Sequence, residues 1–368
     1  MKIALITNFC THYRYKLFKL LSEKYNFDII LFGDPKKTKE DIKHLGVLKD
    51  DNFKFIPVGK LFIYLLKSKY DVIIKCTNNK WSFLLSFLAA KLTRAKFIVW
   101  HTMWYYPNTL QYKLFSWFLI KVLKDYSDAI VVYGEHGKRF LIEKGINADK
   151  IFIAWQTVDN ELYGRNIKDE EIEEIRRKYN INEKVILYVG RLVNLKGIEY
   201  LLECLKKLKD EGIKFTIVFC GDGKIKEAIE KYCEENNIDY RITGIIPYDK
   251  LPPFYKFARV LCLPSITTKT FKEPWGLVVN EAFNQGCPVV VTDAVGAGVG
   301  GLVKDGVNGF VVPEKNADAL ADAIGEILEN EVIYNKLSMN AKEEIKKWTY
   351  ERQAKGFLDA VNYALKLK

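Results

Sequence analysis

Val185-Ile-Leu-Tyr-Val189-Gly190-Arg191-Leu-Val-Asn-Leu-Lys196-Gly197 is a strand, a basic loop and the start of a helix. Val185–Val189 is apolar throughout, as expected for a strand covered by helices on both faces. The helical period begins at Gly197 and runs to Lys209. Arg191 and Lys196 stand where a strand's carboxyl end meets a helix start, so a fork, a point charge and a positive dipole end can meet one anion. The same residues also read as an ordinary exposed basic loop. No GxxxxGK[ST] occurs anywhere in the chain, which excludes a Walker phosphate loop.

The strand–loop–helix pattern repeats in both directions. Strands are expected at Ile3–Ile6, Phe27–Leu31, Val72–Ile74, Phe97–Trp100, Ala129–Val132, Phe215–Phe219, Val260–Leu263 and Val289–Val291. Helices are expected between them, at Tyr15–Lys24, Ser82–Thr93, Thr109–Lys124, Lys224–Asn236 and Ala317–Glu329. Alternation of this kind indicates βαβ units and parallel sheets. A chain of 368 residues is longer than a single core favours, so two domains are expected. Periodicity fades between about 155 and 182, which places a linker there. The expected division is 1–165 and 166–347, with the amphipathic segment 348–368 free to pack elsewhere. The fold class is α/β: two doubly wound, Rossmann-like parallel-sheet domains, with ligands expected at the carboxyl ends of the strands and in the cleft where the domains face each other.

Composition narrows the partners. Apolar residues make up 49% of the chain, which argues against long disordered tracts. The net charge of +11 favours anionic partners. Lys and Arg are scattered, which speaks against nucleic acid. Seven cysteines without CxxC spacing suggest neither disulfides nor zinc and fit a reducing compartment. The first strand is too short for a signal-peptide core, and the longest apolar run, Trp81 to Ala90, is too short to span a membrane. A cytoplasmic protein is expected, peripheral at most at the inner face of the membrane.

Glu273-Pro-Trp-Gly-Leu-Val-Val-Asn-Glu281 carries the densest site chemistry. One acid sits in a loop, a Gly follows, and a helix carries the second. Glu281 has apolar neighbours on both sides, so burial and a need for hydrogen-bond donors are expected. Amides at Trp275, Gly276 and Leu277 open the helix and suit an anion. Phe219-Cys-Gly221-Asp-Gly223 reads as a tight turn. Gly296-Ala-Gly298-Val-Gly-Gly301 is literally GxGxxG, but the turn residues after it, up to Gly306 and at Asn308-Gly309, oppose a dinucleotide-binding helix. A mobile Gly-rich loop fits better. His101 ends the strand Phe97–Trp100 among Trp104, Tyr105 and Tyr106, and reads either as a site residue or as a satisfied histidine in an aromatic cluster. No Asp-x-Asp is present, so no metal and no cofactor are expected.

Arg191, Lys196, Pro264-Ser265, Glu273, Glu281 and Gly286-x-Pro288, in that order, resemble the retaining nucleotide-sugar glycosyltransferases of the family 4 type, with a GT-B fold. The resemblance is specific over about residues 185–330, through GRLxxxKG, the Glu-x7-Glu pattern and the strand start Asn308-Gly309-Phe310-Val311-Val312. Trp348-Thr-Tyr-Glu-Arg352 looks like the family's last helix, which crosses back to the N-terminal domain. The N-terminal half matches less closely: Asn8-Phe-Cys-Thr-His-Tyr-Arg14 stands where the family has a Gly-Gly loop. Gly301 also replaces an acid usual in the second Gly-rich loop.

The resemblance implies transfer of a sugar from a nucleoside-diphosphate sugar to an acceptor hydroxyl, with retention. It implies that Arg191 and Lys196 hold the diphosphate and that Glu281 accepts from the ribose hydroxyls. Glu273 holds the donor sugar with the amides of Trp275, Gly276 and Leu277. The backbone near Ile246 contacts the base, and His101 touches the sugar. The implied catalytic set is His101, Arg191, Lys196 and Glu273. Basic and aromatic residues in Lys60–Lys67 and Trp100–Trp117 suit a lipid-linked acceptor at an anionic membrane surface; a carbohydrate acceptor is the other choice. A non-catalytic nucleotide-sugar or carbohydrate-binding protein and a GT-B-shaped sugar-nucleotide epimerase are the competing readings.

Overall fold

The structure, a computed structural model, describes residues 1–32 and 50–366. The last two residues of the expected segment 348–368 therefore lie outside the described residues. Chain contacts divide the molecule into two units: residues 1–157 with 348–368, and residues 158–347.

The first unit is built on a parallel sheet ordered β3-β2-β1-β4-β5-β6-β7. The strands are β1 (Ile3–Thr7), β2 (Phe27–Leu31), β3 (Lys54–Phe55), β4 (Val72–Cys76), β5 (Lys96–Trp100), β6 (Ala129–Val132) and β7 (Ile151–Ile153). The order reverses between β1 and β4, which pair directly, Ile6 opposite Lys75. In doubly wound sheets this reversal is where ligands enter. Every residue of β1, β4 and β6 is buried, because helices cover both faces. The helix Lys80–Thr93 is capped by the Asn79 side chain, which accepts from the Ser82 amide, one of the orphan donors of a helix start.

The C-terminal helix Tyr350–Lys366 belongs to this unit and packs on β5, β6, β7 and the helix His12–Tyr25. Gly356 permits the approach, since a Cβ there would lie 2.3 Å from the Ile153 carbonyl oxygen. Buried Trp348 accepts through its carbonyl from the Thr157 hydroxyl at 2.6 Å. Gln353 donates to Gln156 at 2.9 Å.

The second unit has the parallel order β10-β9-β8-β11-β12-β13. These are β8 (Val185–Val189), β9 (Thr216–Cys220), β10 (Tyr240–Gly244), β11 (Val260–Leu263), β12 (Val289–Thr292) and β13 (Gly309–Val312). The helix Ile198–Asp210 buries Ile198, Leu201, Leu202, Leu205 and Leu208, the helical spacing that made it legible. Ala317–Glu329 is found with its expected bounds because Asn316 caps it, accepting from the Ala319 amide.

Several expectations need adjusting. The apolar-run pattern leaves out Lys54–Phe55, Ile151–Ile153, Tyr240–Gly244 and Gly309–Val312, which are the edges of the two sheets. Edge strands are covered on fewer sides, and β3, β10 and most of β7 are only partly buried or exposed. No free linker occupies 155–182. Asn160–Tyr163 is helical and docks on the helix Val278–Asn284, with Asn284 donating to Asn160 at 2.9 Å and Gln285 donating to the Tyr163 carbonyl. These bonds draw the division back to residue 158. The helix expected over Thr109–Lys124 ends at Lys121 and continues as a π-helical turn, Val122–Tyr126.

One close approach fixes the geometry of the second unit. Gly197 has φ +66°, and a Cβ there would stand 2.0 Å from the Pro264 carbonyl oxygen. We expect Gly197→Ala to lower the unfolding free energy by about 2–4 kcal/mol, read from urea denaturation. A loss below about 0.5 kcal/mol would contradict this packing.

Candidate active site

The loops after β8, β9 and β11 meet backbone to backbone. Gly190 donates to the Cys220 carbonyl at 3.0 Å and Leu192 to the Asp222 carbonyl at 2.9 Å. A Cβ on Gly221 would fall 1.8 Å from the Gly190 oxygen, and one on Gly223 would fall 2.2 Å from the Leu192 oxygen. The Gly-Asp-Gly segment is thus more than a tight turn: its glycines let the basic loop lie flat on the β9 loop. On the other side, Ile266 donates to the Leu195 carbonyl.

This packing carries Lys196 to Glu273. The two side chains form an ion pair, with Nζ donating to Oε2, and both are largely buried. Ser265 Oγ donates to the same carboxylate oxygen at 3.2 Å. Glu273 is fixed from behind as well: its carbonyl accepts from Gly296, and the Trp275 carbonyl accepts from Ala297 at 2.7 Å. The expected mobile Gly-rich loop is therefore corrected. Gly296–Val299 is one buried helical turn whose amides lock the Glu273 segment. Gly298 is required because a Cβ would meet Val291 Cγ2 at 2.8 Å.

Trp275 is buried, and its Nε1 donates to Asn280 Oδ1 at 2.7 Å. Gly276 adopts φ +92°, and a Cβ would press on Leu263 and Val295. The backbone is thereby turned so that the helix Val278–Asn284 begins at once. Among the described residues the amides of Gly276 and Leu277 have no hydrogen-bond acceptor, and both residues are partly open to solvent. Two N–H donors, one ammonium and one carboxylate therefore share one corner.

Glu281 lies one helical turn further in and is buried. Tyr255 Oη donates to its Oε2 at 2.6 Å. Burial pushes its pKa up to about 7, against hydrogen bonds from Tyr255 and Tyr163 that favour the anion. The sequence implied donors for this acid, and the resemblance named the ribose hydroxyls. It missed both tyrosines, which lie far along the chain, and no local signal marks either.

Arg191 has an exposed side chain, and its carbonyl accepts from Tyr188 Oη at 2.8 Å. Ile246 lines a recess with Arg165, Glu171, Tyr179, Pro247 and Phe254. Arg191, Lys196, Glu273 and Glu281 do not line that recess. His101 belongs to the first unit. It is buried, its Nε2 lies 3.0 Å from Tyr106 Oη, and its ring stacks on Phe140. Burial lowers its pKa to about 4, opposed by a hydrogen bond with the Met103 backbone. The imidazole is neutral at pH 7, which removes it from cationic roles.

Residues 171–348 match the family described as Glycosyl transferases group 1. An uncharacterized glycosyltransferase of Methanocaldococcus jannaschii is 30% identical over 227 residues, 60% of this chain and 55% of that protein. A second uncharacterized glycosyltransferase of the same organism is 25% identical over 89% of this chain and 88% of its own length. The first of these likenesses spans little more than half the length of that relative. Among solved structures, Anabaena HepE in complex with UDP and glucose superposes with a TM-score of 0.74 at 17% identity, over 98% of this chain and 99% of that one. At that identity the likeness shows the fold.

The Glu281 environment makes a pH prediction. Its raised folded pKa means that the proton is held more tightly in the native state. The associated stability is present below about 4.5 and lost as pH rises through about 7. Urea denaturation of wild type and Glu281→Gln at pH 5 and pH 8 should show wild type losing on the order of 2–3 kcal/mol relative to the variant. A difference independent of pH would contradict it.

Proposed function

We propose, from the membership of residues 171–348 in the group 1 glycosyl transferases, that this chain is a retaining glycosyltransferase that uses a nucleoside-diphosphate sugar. The observation that carries the reading is the corner formed by Lys196, Glu273, Ser265 and the amides of Gly276 and Leu277. Breaking the bond between sugar and diphosphate leaves negative charge on the diphosphate, and stabilising that charge is the principal task. Lys196 and Arg191 supply cations for it, and the two amides add fixed dipoles. UDP bound by the structural neighbour supports a nucleoside diphosphate as the leaving group.

Glu273 has two tasks in this scheme. It orients the Lys196 ammonium, and its carboxylate would accept from hydroxyls of the donor sugar. Because it is already paired with a cation, it is suited to grip rather than to move protons. Glu281 would take the ribose hydroxyls, which donate to the carboxylate and favour its anion. The backbone near Ile246 would contact the base. His101, neutral, would offer the sugar a hydrogen bond or a surface. Attack by the acceptor hydroxyl from the leaving-group side accounts for retention, and no step needs a metal.

A lipid-linked acceptor is supported by the first unit's surface. From Thr77 to Lys124 the chain has no Asp or Glu and carries Lys80, Lys91, Arg94, Lys96, Lys113, Lys121 and Lys124. The helices Lys80–Thr93 and Leu110–Lys121 pack through Phe83 against Phe115 and Phe87 against Phe118. Their outer faces expose Trp81 at 72%, Leu92, Leu110, Leu114 and Trp117 at 67%. Indole rings and leucines among cations suit an anionic lipid surface, and among the described residues no helix is long and apolar enough to cross a membrane. The inner face of a cell membrane is where this surface would act.

Two measurements test the reading. Release of nucleoside diphosphate from a panel of donors with lipid-linked and free sugar acceptors should fall by about a hundredfold or more in Lys196→Ala, with far-UV circular dichroism unchanged. Full turnover in both Lys196→Ala and Glu281→Ala would remove the site; epimer formation without acceptor would favour the epimerase. Separately, the protein should co-sediment with vesicles containing anionic lipid at low salt, and the double variant Trp81→Ser/Trp117→Ser should bind about tenfold more weakly. Failure of wild type to bind at low salt would remove the membrane assignment.

A further inference from the structure

The first unit holds two cations that the proposed chemistry does not use. Lys75 sits in β4, between β1 and β5, with no exposed surface. Its ammonium donates to the Cys76 carbonyl and to Asn78 Oδ1 at 3.1 Å, and lies 4.6 Å from the Phe32 ring centroid. Burial pushes its pKa down to about 7. Arg14 lies in the first turn of the helix His12–Tyr25. It donates to Thr7 Oγ1 at 3.4 Å and Tyr133 Oη at 3.0 Å and lies over the Trp100 ring.

Every oxygen on these cations is neutral. Among the described residues no carboxylate hydrogen-bonds or pairs with either cation. A fully buried cation such as Lys75 is ordinarily matched by an anion, and Arg14 beside it is half-buried. Three further polar atoms stand nearby in the chain, shut from solvent and without a partner: Arg14 Nε, Thr11 Oγ1 and Thr77 Oγ1. Thr11 is 2% exposed and stands at the N-cap of the helix, yet its side chain makes no cap bond. A helix start with an idle cap hydroxyl and an attendant guanidinium is arranged for an incoming anion.

The location agrees. Thr7, Asn8 and Thr11 follow β1, and Thr77 and Asn78 follow β4. Arg14 reaches the end of β5 at Trp100 and of β6 at Tyr133. β1 and β4 are the neighbours between which the strand order reverses. The link between the two groups is Asn78. It is exposed, accepts from Lys75, and donates to Thr7 Oγ1 at 2.8 Å and to Asn8 Oδ1 at 2.7 Å. It is an exposed, neutral partner of the buried ammonium that a ligand oxygen could replace.

We propose that Arg14 and Lys75, with Thr11, Thr77 and Asn78, bind an anionic oxygen group of the acceptor, such as a phosphate or sulfate ester. The assignment to the acceptor rests on the glycosyltransferase reading. The segment from Asn8 to Arg14 would then be a charge-reading device at the end of the first strand. The same chemistry could come instead from the donor's diphosphate, and the arms of the test separate the two sources.

The test follows Tm of the full-length protein as sodium sulfate replaces sodium chloride at constant ionic strength, with and without saturating UDP. The expected result is a saturable rise with sulfate that UDP does not compete away. Lys75→Met should raise the half-saturating sulfate concentration at least about tenfold and leave the UDP-induced shift intact. Lys196→Ala should do the reverse. Without sulfate, Lys75→Met should match or exceed wild type in Tm, since it removes a desolvated ammonium. A lysine that only packs would instead lower Tm and keep the sulfate response. Arg14→Gln is the second probe of the site and should lose the response too. The proposal is overturned if sulfate produces no shift in wild type, if both variants keep the wild-type response, or if UDP displaces sulfate, which would return the cations to the donor. Absence of a UDP shift in wild type counts against the donor reading alone.

Discussion

Burying a charge is costly unless its opposite stands beside it, and in this chain one such pair organises the second unit. The Lys196–Glu273 ion pair holds together two loops far apart in sequence. Removing either partner would strand the other's charge in a largely buried position, which costs several times more than losing a surface bridge. Much around the pair exists to make it possible. Gly197 lets its loop touch Pro264, Gly221 and Gly223 let the β9 loop lie beneath the basic loop, and Gly296 and Ala297 tie down the Glu273 segment.

The pair also explains a division of labour between two carboxylates only eight positions apart. Glu273 has a cation and a hydroxyl on it. Glu281 has tyrosine donors and sits where burial raises its pKa to about 7. A ligand that offers hydroxyls to both acids and negative charge to Lys196 and Arg191 would satisfy the corner in a way water does less well. A sugar nucleotide has those groups. The two units thus differ in how they hold charge: one pairs its buried cation internally, the other leaves Arg14 and Lys75 to neutral oxygens.

The sheets were legible in the sequence where strands are buried on both faces. Ile3–Thr7 and Val185–Val189 are continuous apolar runs because helices cover both sides. The edges were not, since Tyr240–Gly244 is only partly buried along its length and Lys54–Phe55 is two residues. The expected strand Val72–Ile74 stopped one residue short of Lys75, because nothing local shows that a lysine can be buried at the centre of a sheet. The residues of the corner were legible through their order along the chain. Their partnership was not: Lys196 and Glu273 were each assigned to a ligand, and only folding shows that they also hold each other. Tyr255 and Tyr163 were invisible for a related reason, since a tyrosine's hydroxyl gives no sign in sequence of which buried acid it will meet.

The account stands or falls on whether that corner recognises a sugar nucleotide as a whole. The most direct measurement is calorimetric titration of UDP-glucose and other nucleoside-diphosphate sugars into wild type, Lys196→Ala and Glu273→Gln. The account predicts saturable one-to-one binding of at least one donor by wild type. It predicts at least about tenfold weaker binding in Lys196→Ala. In Glu273→Gln it predicts a selective loss for the intact donor over the free diphosphate. Binding that is indifferent to both substitutions would contradict it.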